Sequence, residues 1–478
     1  MSRTGLILGG AGAAILITGF ITYKKYRLTK QPKILAKQPS NPYLLYLSTF
    51  DILVEFLQTK DLLTLKQTHR SLQKIIYDKA NPLITVHVGK TEKSMIIPTM
   101  FKKYSLNIIA YPFSSPSDLL ITNISSLDLK EARHITDSTV RLMSNLTSLH
   151  IYGNSGIAPI QLSTYTQLKS LIMESYPITD ATLMHLTNLT SIENRESFAW
   201  LIPRSRITMT SLSKLKKLKH LFLTAYSITS DDGFSELSNL SSLQLVLSLA
   251  NDKEPMSPSN IGLLKSFKNL LSLELNNIKG VTDEGLNALT NLTQLRLHGT
   301  VWKGSLITDL GFKNLTNLKS LDLYLWYYCE PTLNIDKLVS RIPNLTNLEM
   351  HIDELLTDAG LRNLRNLRRL HIAHNKFVTN RSIGNLRKLT YLDISSNRKV
   401  TDSSISKLTS LEYLSIHERW TPAYLERRTI NCSITFNSLM HLTKLTDLNL
   451  QFHKKLSSEI THHLTNLTRL TVVGDAYP

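Results

Sequence analysis

Apolar positions recur along this chain in a fixed frame. In Leu389–Ser410, LTYLDISSNRKVTDSSISKLTS, the opening Leu389-x-x-Leu392-x-Ile394 alternates as a short strand with one buried face does. The middle, Val400-Thr401-Asp402, turns into a helix. Thr401 can cap the helix N–H groups, and Asp402 suits the first turn. The end, Ile405-x-x-Leu408-x-x-Leu411, spaces its apolar residues by three, which predicts a short helix or a bent helical segment. The next strand starts at Leu411. The first strand leucine of this frame returns at Leu127, Leu149, Leu171, Ile192, Leu221, Leu243, Leu273, Leu295, Leu321, Leu348, Leu370, Leu392, Leu414, Leu448 and Leu470, with a common step of about 22 residues. The Thr-Asp pair returns at Thr136, Thr179, Thr282, Thr308 and Thr357.

Strand, cap and helix signals repeating in phase resemble the leucine-rich-repeat family over residues 83–474. The resemblance implies an α/β fold, a solenoid (horseshoe) of stacked strand–helix units. An Asn that closes the strand turn stands at Asn154, Asn375 and Asn397. The array is assigned to residues 81–474, with degenerate first strands at Leu83–Val88 and Ser105–Tyr111 and a connecting helix around residues 96–104. The sequons Asn145-Leu-Thr, Asn188-Leu-Thr and Asn291-Leu-Thr lie inside the repeat phrase and read as structural.

Residues 1–23 carry the uncharged run Thr4–Thr22, long enough to span a bilayer as a transmembrane helix. Five basic residues follow closely (Lys24, Lys25, Arg27, Lys30, Lys33) against Arg3 before it, which places the remainder in the cytosol by the positive-inside rule. Residues 24–40 form a basic linker. Residues 41–80 show amphipathic helical spacing at Leu53, Phe56 and Leu57, then Leu62, Leu63 and Leu65, then Leu72, Ile75 and Ile76. Together with Lys60-Asp61-Leu62-Leu63 and Arg70, this stretch resembles an F-box. The resemblance implies a small helical segment in which Leu53, Leu57, Leu62 and Leu63 bind the Skp-type linker of a cullin ligase. The structural alternative is a helical cap on the first repeat.

The formal charge of +18 contains seven basic residues ahead of Asp51. The rest carries 55 − 7 = 48 basic residues against 37 acidic ones. Basic runs such as Ser213–His220 and Leu361–Leu370 fall on the helical side and read as a solvated face; no nucleic-acid fold signature accompanies them. Cys329 and Cys432 fall four strand steps apart, about 20 Å at roughly 5 Å per strand, too far for a disulfide.

Five units are lengthened between strand and helix, and four of these insertions hold Trp200, Trp302, Trp326 and Trp420. Insertions at one repeat position emerge on one edge, so these residues are expected to form an aromatic rim for a protein partner. The strand residues between the leucines are expected to face the concave side: Glu274, Arg296, Asp322, Tyr324, Glu349, His351, His371, Tyr391, Asp393 and Tyr413. Glu274, Asp322, Glu349 and Asp393 give that face an acidic middle column suited to a basic, partly apolar partner. His351 and His371 lie near one another in register without a convergent ligand set, and no metal or cofactor is expected. There is no Gly-rich phosphate loop, nucleophile elbow or Cys-x-x-Cys. The expected function is a non-enzymatic protein-binding adaptor, the substrate-recognition subunit of a cullin-type ubiquitin ligase, or else a membrane-tethered repeat scaffold with no ligase role.

Overall fold

The computed structural model describes residues 83–88, 105–110, 124–129, 137–141, 143–153, 156–195, 207–224, 234–246, 261–278, 281–299, 306–324, 333–351, 355–416, 434–450, 460 and 462–471. The expected anchor at residues 4–22, the F-box-like stretch at residues 41–80, the expected helix around residues 96–104 and all four tryptophans lie outside them. Among the described residues, no helix is long and apolar enough to cross a membrane.

The chain divides into two compact units, Met1–Leu149 and His150–Pro478. In the first, Leu83–Val88 (β1), Ser105–Ala110 (β2) and Ile124–Asp128 (β3) pair in parallel, with one irregularity between Leu106 and Asn107. The division falls inside Ser148–Tyr152 (β4). The second unit continues with Ser170–Glu174 (β5), Ser191–Arg195 (β6), His220–Thr224 (β7), Ser242–Val246 (β8), Ser272–Asn276 (β9), Gln294–His298 (β10), Ser320–Tyr324 (β11) and Asn347–His351 (β12). Shorter strands follow at Arg369–His371 (β13), Tyr391–Asp393 (β14), Tyr413–Ser415 (β15), Asp447–Asn449 (β16) and Arg469–Thr471 (β17). From β5 onward each strand pairs in parallel with the next in sequence.

Register follows the leucines. Leu171 aligns with Ile192, Leu295 with Leu321, and Leu370 with Leu392. These residues are sealed from solvent, and Leu470 in β17 is half-buried. The apolar spacing of three has a direct backbone cause. After the four-residue helix Asp402–Ile405, Leu408 N–H donates to the Ile405 carbonyl and Leu411 N–H to the Leu408 carbonyl, so each tight turn returns a side chain to the core.

The Thr-Asp pair does more than start a helix. Thr282, Thr308, Thr357 and Thr379 accept a backbone N–H through their hydroxyls, as caps should. Thr401 and Thr179, however, make no such cap bond. The aspartate reaches forward to the next repeat. Asp358 Oδ1 accepts Thr379 N–H (2.9 Å) and Ser382 O–H (2.5 Å), while Oδ2 accepts the Thr379 hydroxyl (2.5 Å). Asp180 binds Thr208, Asp283 binds Thr308, Asp336 binds Thr357 and Asp402 binds Thr435 in the same way. At Asn380 an amide takes the role: its Oδ1 accepts Thr401 N–H, and its Nδ2 donates to the Thr401 hydroxyl.

Two further ladders tie the repeats. Asn375 and Asn397 each accept two turn N–H groups and donate to a carbonyl of the preceding repeat, the strand-turn closure expected of them. In the sequon phrase, Asn188 and Asn291 donate to the Thr166 and Lys268 carbonyls, while Thr190 and Thr293 donate to those of Lys169 and Leu271. The amides of Asn188 and Asn291 are thus used in stacking, in line with the structural reading of these sequons.

Candidate functional site

The strand frame buries its second and fourth residues and turns the first, third and fifth to the open side of the sheet. Parallel register sets each open position into a column. The middle column runs Ile172, Glu193, Phe222, Gln244, Glu274, Arg296, Asp322, Glu349, His371, Asp393 and Ser415. The structure therefore brings Glu274, Arg296, Asp322, Glu349, His371 and Asp393 together. Tyr324 and His351 sit beside them in the fifth-position column, and Tyr391 and Tyr413 in the first-position column.

The acidic lean of the middle column is largely compensated within the face. Arg296 lies between Glu274 (3.3 Å) and Asp322 (3.7 Å). Arg369 Nε donates to Glu349 Oε1 (2.7 Å), and its guanidinium covers the Tyr391 ring at 3.5 Å. Tyr391 in turn stacks on Tyr413, with centroids 4.1 Å apart and planes within 5°. Burial pushes the Tyr391 phenol well above its usual pKa. For Arg369, burial opposes the charge but Glu349 outweighs it and raises the pKa.

Asp322 and Asp393 do not lie open on this face as expected: only 7% and 6% of their surfaces are accessible. Asp393 is drawn into the turn after its short strand, where Oδ1 accepts Ser395 N–H (3.0 Å) and Ser395 O–H (2.5 Å), and His371 Nδ1 lies 3.3 Å from Oδ2. His374 occupies the equivalent turn of the preceding repeat, after β13, in the left-handed backbone conformation (φ 66°), and its N–H donates to the Ser395 carbonyl.

Burial works against the charge of Asp393, yet the hydrogen bonds from His371 and Ser395 outweigh it and hold the carboxyl below its usual range. A carboxyl depressed by folding stabilises the protein above its unfolded pKa of about 3.9 and loses that contribution as pH falls through the lower folded value. Titration followed by circular dichroism is expected to show stability falling below pH ~4, with Asp393→Asn flattening that limb. An unchanged acid limb in Asp393→Asn would show that this carboxylate does not contribute to it.

Three histidines line the same stretch. His298 Nε2 is 3.0 Å from Asp322 Oδ2, and the bond to Asp322 raises its pKa against the effect of burial. His351 Nε2 is 3.8 Å from Asp322 Oδ1, but burial, followed by the neighbouring His371, lowers its pKa. The His351 ring lies 4.7 Å from that of His371 and 5.6 Å from Tyr324. The ligand atoms of Asp322, Glu349 and His351 all fall within 4.8 Å of one another. This revises the expectation that no ligand set converges here. The signal was present in the sequence: Asp322 and Glu349 hold the same strand position, and His351 follows two residues later.

Further along the face, Glu193, Arg195, His220, Phe222 and Gln244 line an open recess of about 650 Å³. Arg195 pairs with Glu193 (2.6 Å) and Glu174 (3.5 Å). On the opposite, helical side Lys214, Lys217, Arg362, Arg365 and Arg368 are exposed, as a solvated face requires.

No protein-family model matches the chain, and no curated relative matches it in sequence. Solved structures do align. An internalin from Listeria monocytogenes is 20% identical over 69% of this chain and 81% of that one, with a TM-score of 0.39. A leucine-rich-repeat protein from Leptospira interrogans is 19% identical over 74% and 90%, with a TM-score of 0.49. The TLR13–ssRNA13 complex is 21% identical over 81% of this chain and 63% of that one, with a TM-score of 0.46. The repeat geometry described above, with parallel strands in register, leucines sealed between units and short helical turns behind them, is that of a leucine-rich-repeat fold.

Proposed function

We propose that the chain is a non-enzymatic protein-binding adaptor whose open sheet face takes the partner. The observation that supports this reading is the run of unbroken, in-register columns of polar and aromatic side chains from β5 to β15. The strand register is kept along that run while the side chains change from strand to strand. Such a surface reads the shape and charge of a protein. Its self-paired charges suit a partner of mixed rather than uniformly basic character, anchored on Tyr324, Phe222 and the Tyr391–Tyr413 stack. The four insertion tryptophans would add an aromatic rim.

The finer role follows from the F-box resemblance of residues 41–80. Leu53, Leu57, Leu62 and Leu63 would hold a Skp-type linker, making the chain the substrate-recognition subunit of a cullin-type ubiquitin ligase. Residues 4–22 would anchor it in a bilayer with the array in the cytosol. Mixing the full-length protein in detergent with the linker is expected to give a complex that Leu57→Asp abolishes. No complex at micromolar concentrations would remove the ligase role and leave a membrane-tethered scaffold.

The binding face has its own test. With the partner purified from cells, Tyr324→Ala or Trp326→Ala is expected to cost about 2 kcal/mol of affinity, the scale of an aromatic anchor. Charge reversal at Arg365 and Arg368, on the helical side, should leave binding intact. The opposite pattern would move the interface to the basic side.

A further inference from the structure

We propose that Asp322, Glu349 and His351 form a binding site for a divalent transition metal ion, with Zn²⁺ the first candidate. The three ligand atoms converge within 4.8 Å on adjacent strands β11 and β12. A second observation points to a ligand. Asp322 is more than nine-tenths buried, and its Oδ1 accepts no hydrogen bond among the described residues. A buried carboxylate oxygen left in this way is costly unless a cation completes it. The other oxygen, Oδ2, is already engaged by His298 (3.0 Å) and Arg296 (3.7 Å), so the carboxylate is oriented with Oδ1 toward His351.

The donor set selects the ion. Imidazole with two carboxylates suits zinc and its neighbours in the transition series, whereas Mg²⁺ and Ca²⁺ favour oxygen donors alone. Metal–ligand bonds of about 2.0–2.2 Å require the donors to close by roughly an ångström, which rotation of the incompletely buried Glu349 and His351 side chains supplies. His298 and Arg296 on Asp322, and Arg369 on Glu349, act as outer partners that fix the carboxylates. The two arginines also reduce the net negative charge around the ligand set. Three protein ligands leave a coordination position open to water or to a donor from outside. The site stands whether or not the face binds a protein.

The test uses full-length protein in detergent titrated with Co²⁺, followed by visible absorption, and with Zn²⁺, followed by calorimetry. One ion per chain is expected, with low-coordinate Co²⁺ bands and no thiolate charge-transfer band. Glu349→Gln and His351→Gln are each expected to weaken binding about a hundredfold or more, and His220→Gln, remote from the site, to leave it unchanged. Asp322→Asn should behave like the first two. If that buried variant fails to fold by circular dichroism, the Glu349 and His351 variants decide. Absence of binding up to millimolar metal overturns the proposal. So does binding that survives both Glu349→Gln and His351→Gln, or that carries a thiolate band, which would place the ion at Cys329 or Cys432.

Discussion

Leu392→Ala is expected to destabilise the array by about 2–5 kcal/mol, the range for a large-to-small change at a sealed core position. Leu392 is fully buried and aligned with Leu370 on one side and Leu414 on the other. Its neighbours are fixed by strand pairing, so they cannot collapse into the vacated volume without breaking register. A repeat array holds together through nearest-neighbour contacts, so the loss falls on the two junctions flanking β14. Denaturant unfolding should shift to lower concentration and split into two transitions as the segments either side uncouple. A wild-type midpoint in Leu392→Ala would contradict the register of Leu370, Leu392 and Leu414.

Asp358→Ala is expected to cost roughly 2–3 kcal/mol, because it removes the acceptor for three donors and leaves Thr379 N–H without its partner. Asp358→Asn should cost well under half of that. The chain itself provides the comparison: at Asn380, one repeat further on, an amide oxygen accepts Thr401 N–H (2.8 Å) and Ser404 O–H (2.7 Å) in the same arrangement. The amide also donates to the Thr401 hydroxyl (2.7 Å), reversing one bond while keeping the link. A helix-start role alone predicts no such gap between the two variants. Loss of the carboxylate charge at the first turn would then matter, and Asn and Ala would be similarly harmful. Thermal unfolding of the two variants side by side separates the inter-repeat bond from the helix-dipole effect.

In the sequence the Thr-Asp pair is a local signal, because both residues sit at the start of one helix. The bond that matters at Asp358 spans 21 residues to Thr379, and that at Asp180 spans 28 residues to Thr208. No fixed spacing reveals it, since the insertions change the repeat length while stacking keeps the contact. The same holds for the acidic column. Glu274, Asp322 and Glu349 align in sequence phase, but Arg296 is shared between two of them and Arg369 comes from the first-position column of the next strand. Their compensation is a lateral fact. The F-box-like stretch, the expected anchor and the tryptophans of the expected rim lie outside the described residues.

The amino-acid sequence by itself determined the strand positions, the sealed leucines, the tight turns behind them and the turn asparagines. Burial with period two in a strand, and with spacing three in tight helical turns, is a local constraint written into each repeat. Tertiary structure decided what crosses from one repeat to the next. It turned the aspartates forward onto threonines, sank Asp322 and Asp393 beneath the face, and gathered Asp322, Glu349 and His351. These outcomes depend on lateral strand register and on side-chain reach across about 5 Å between strands, distances that a linear pattern does not contain.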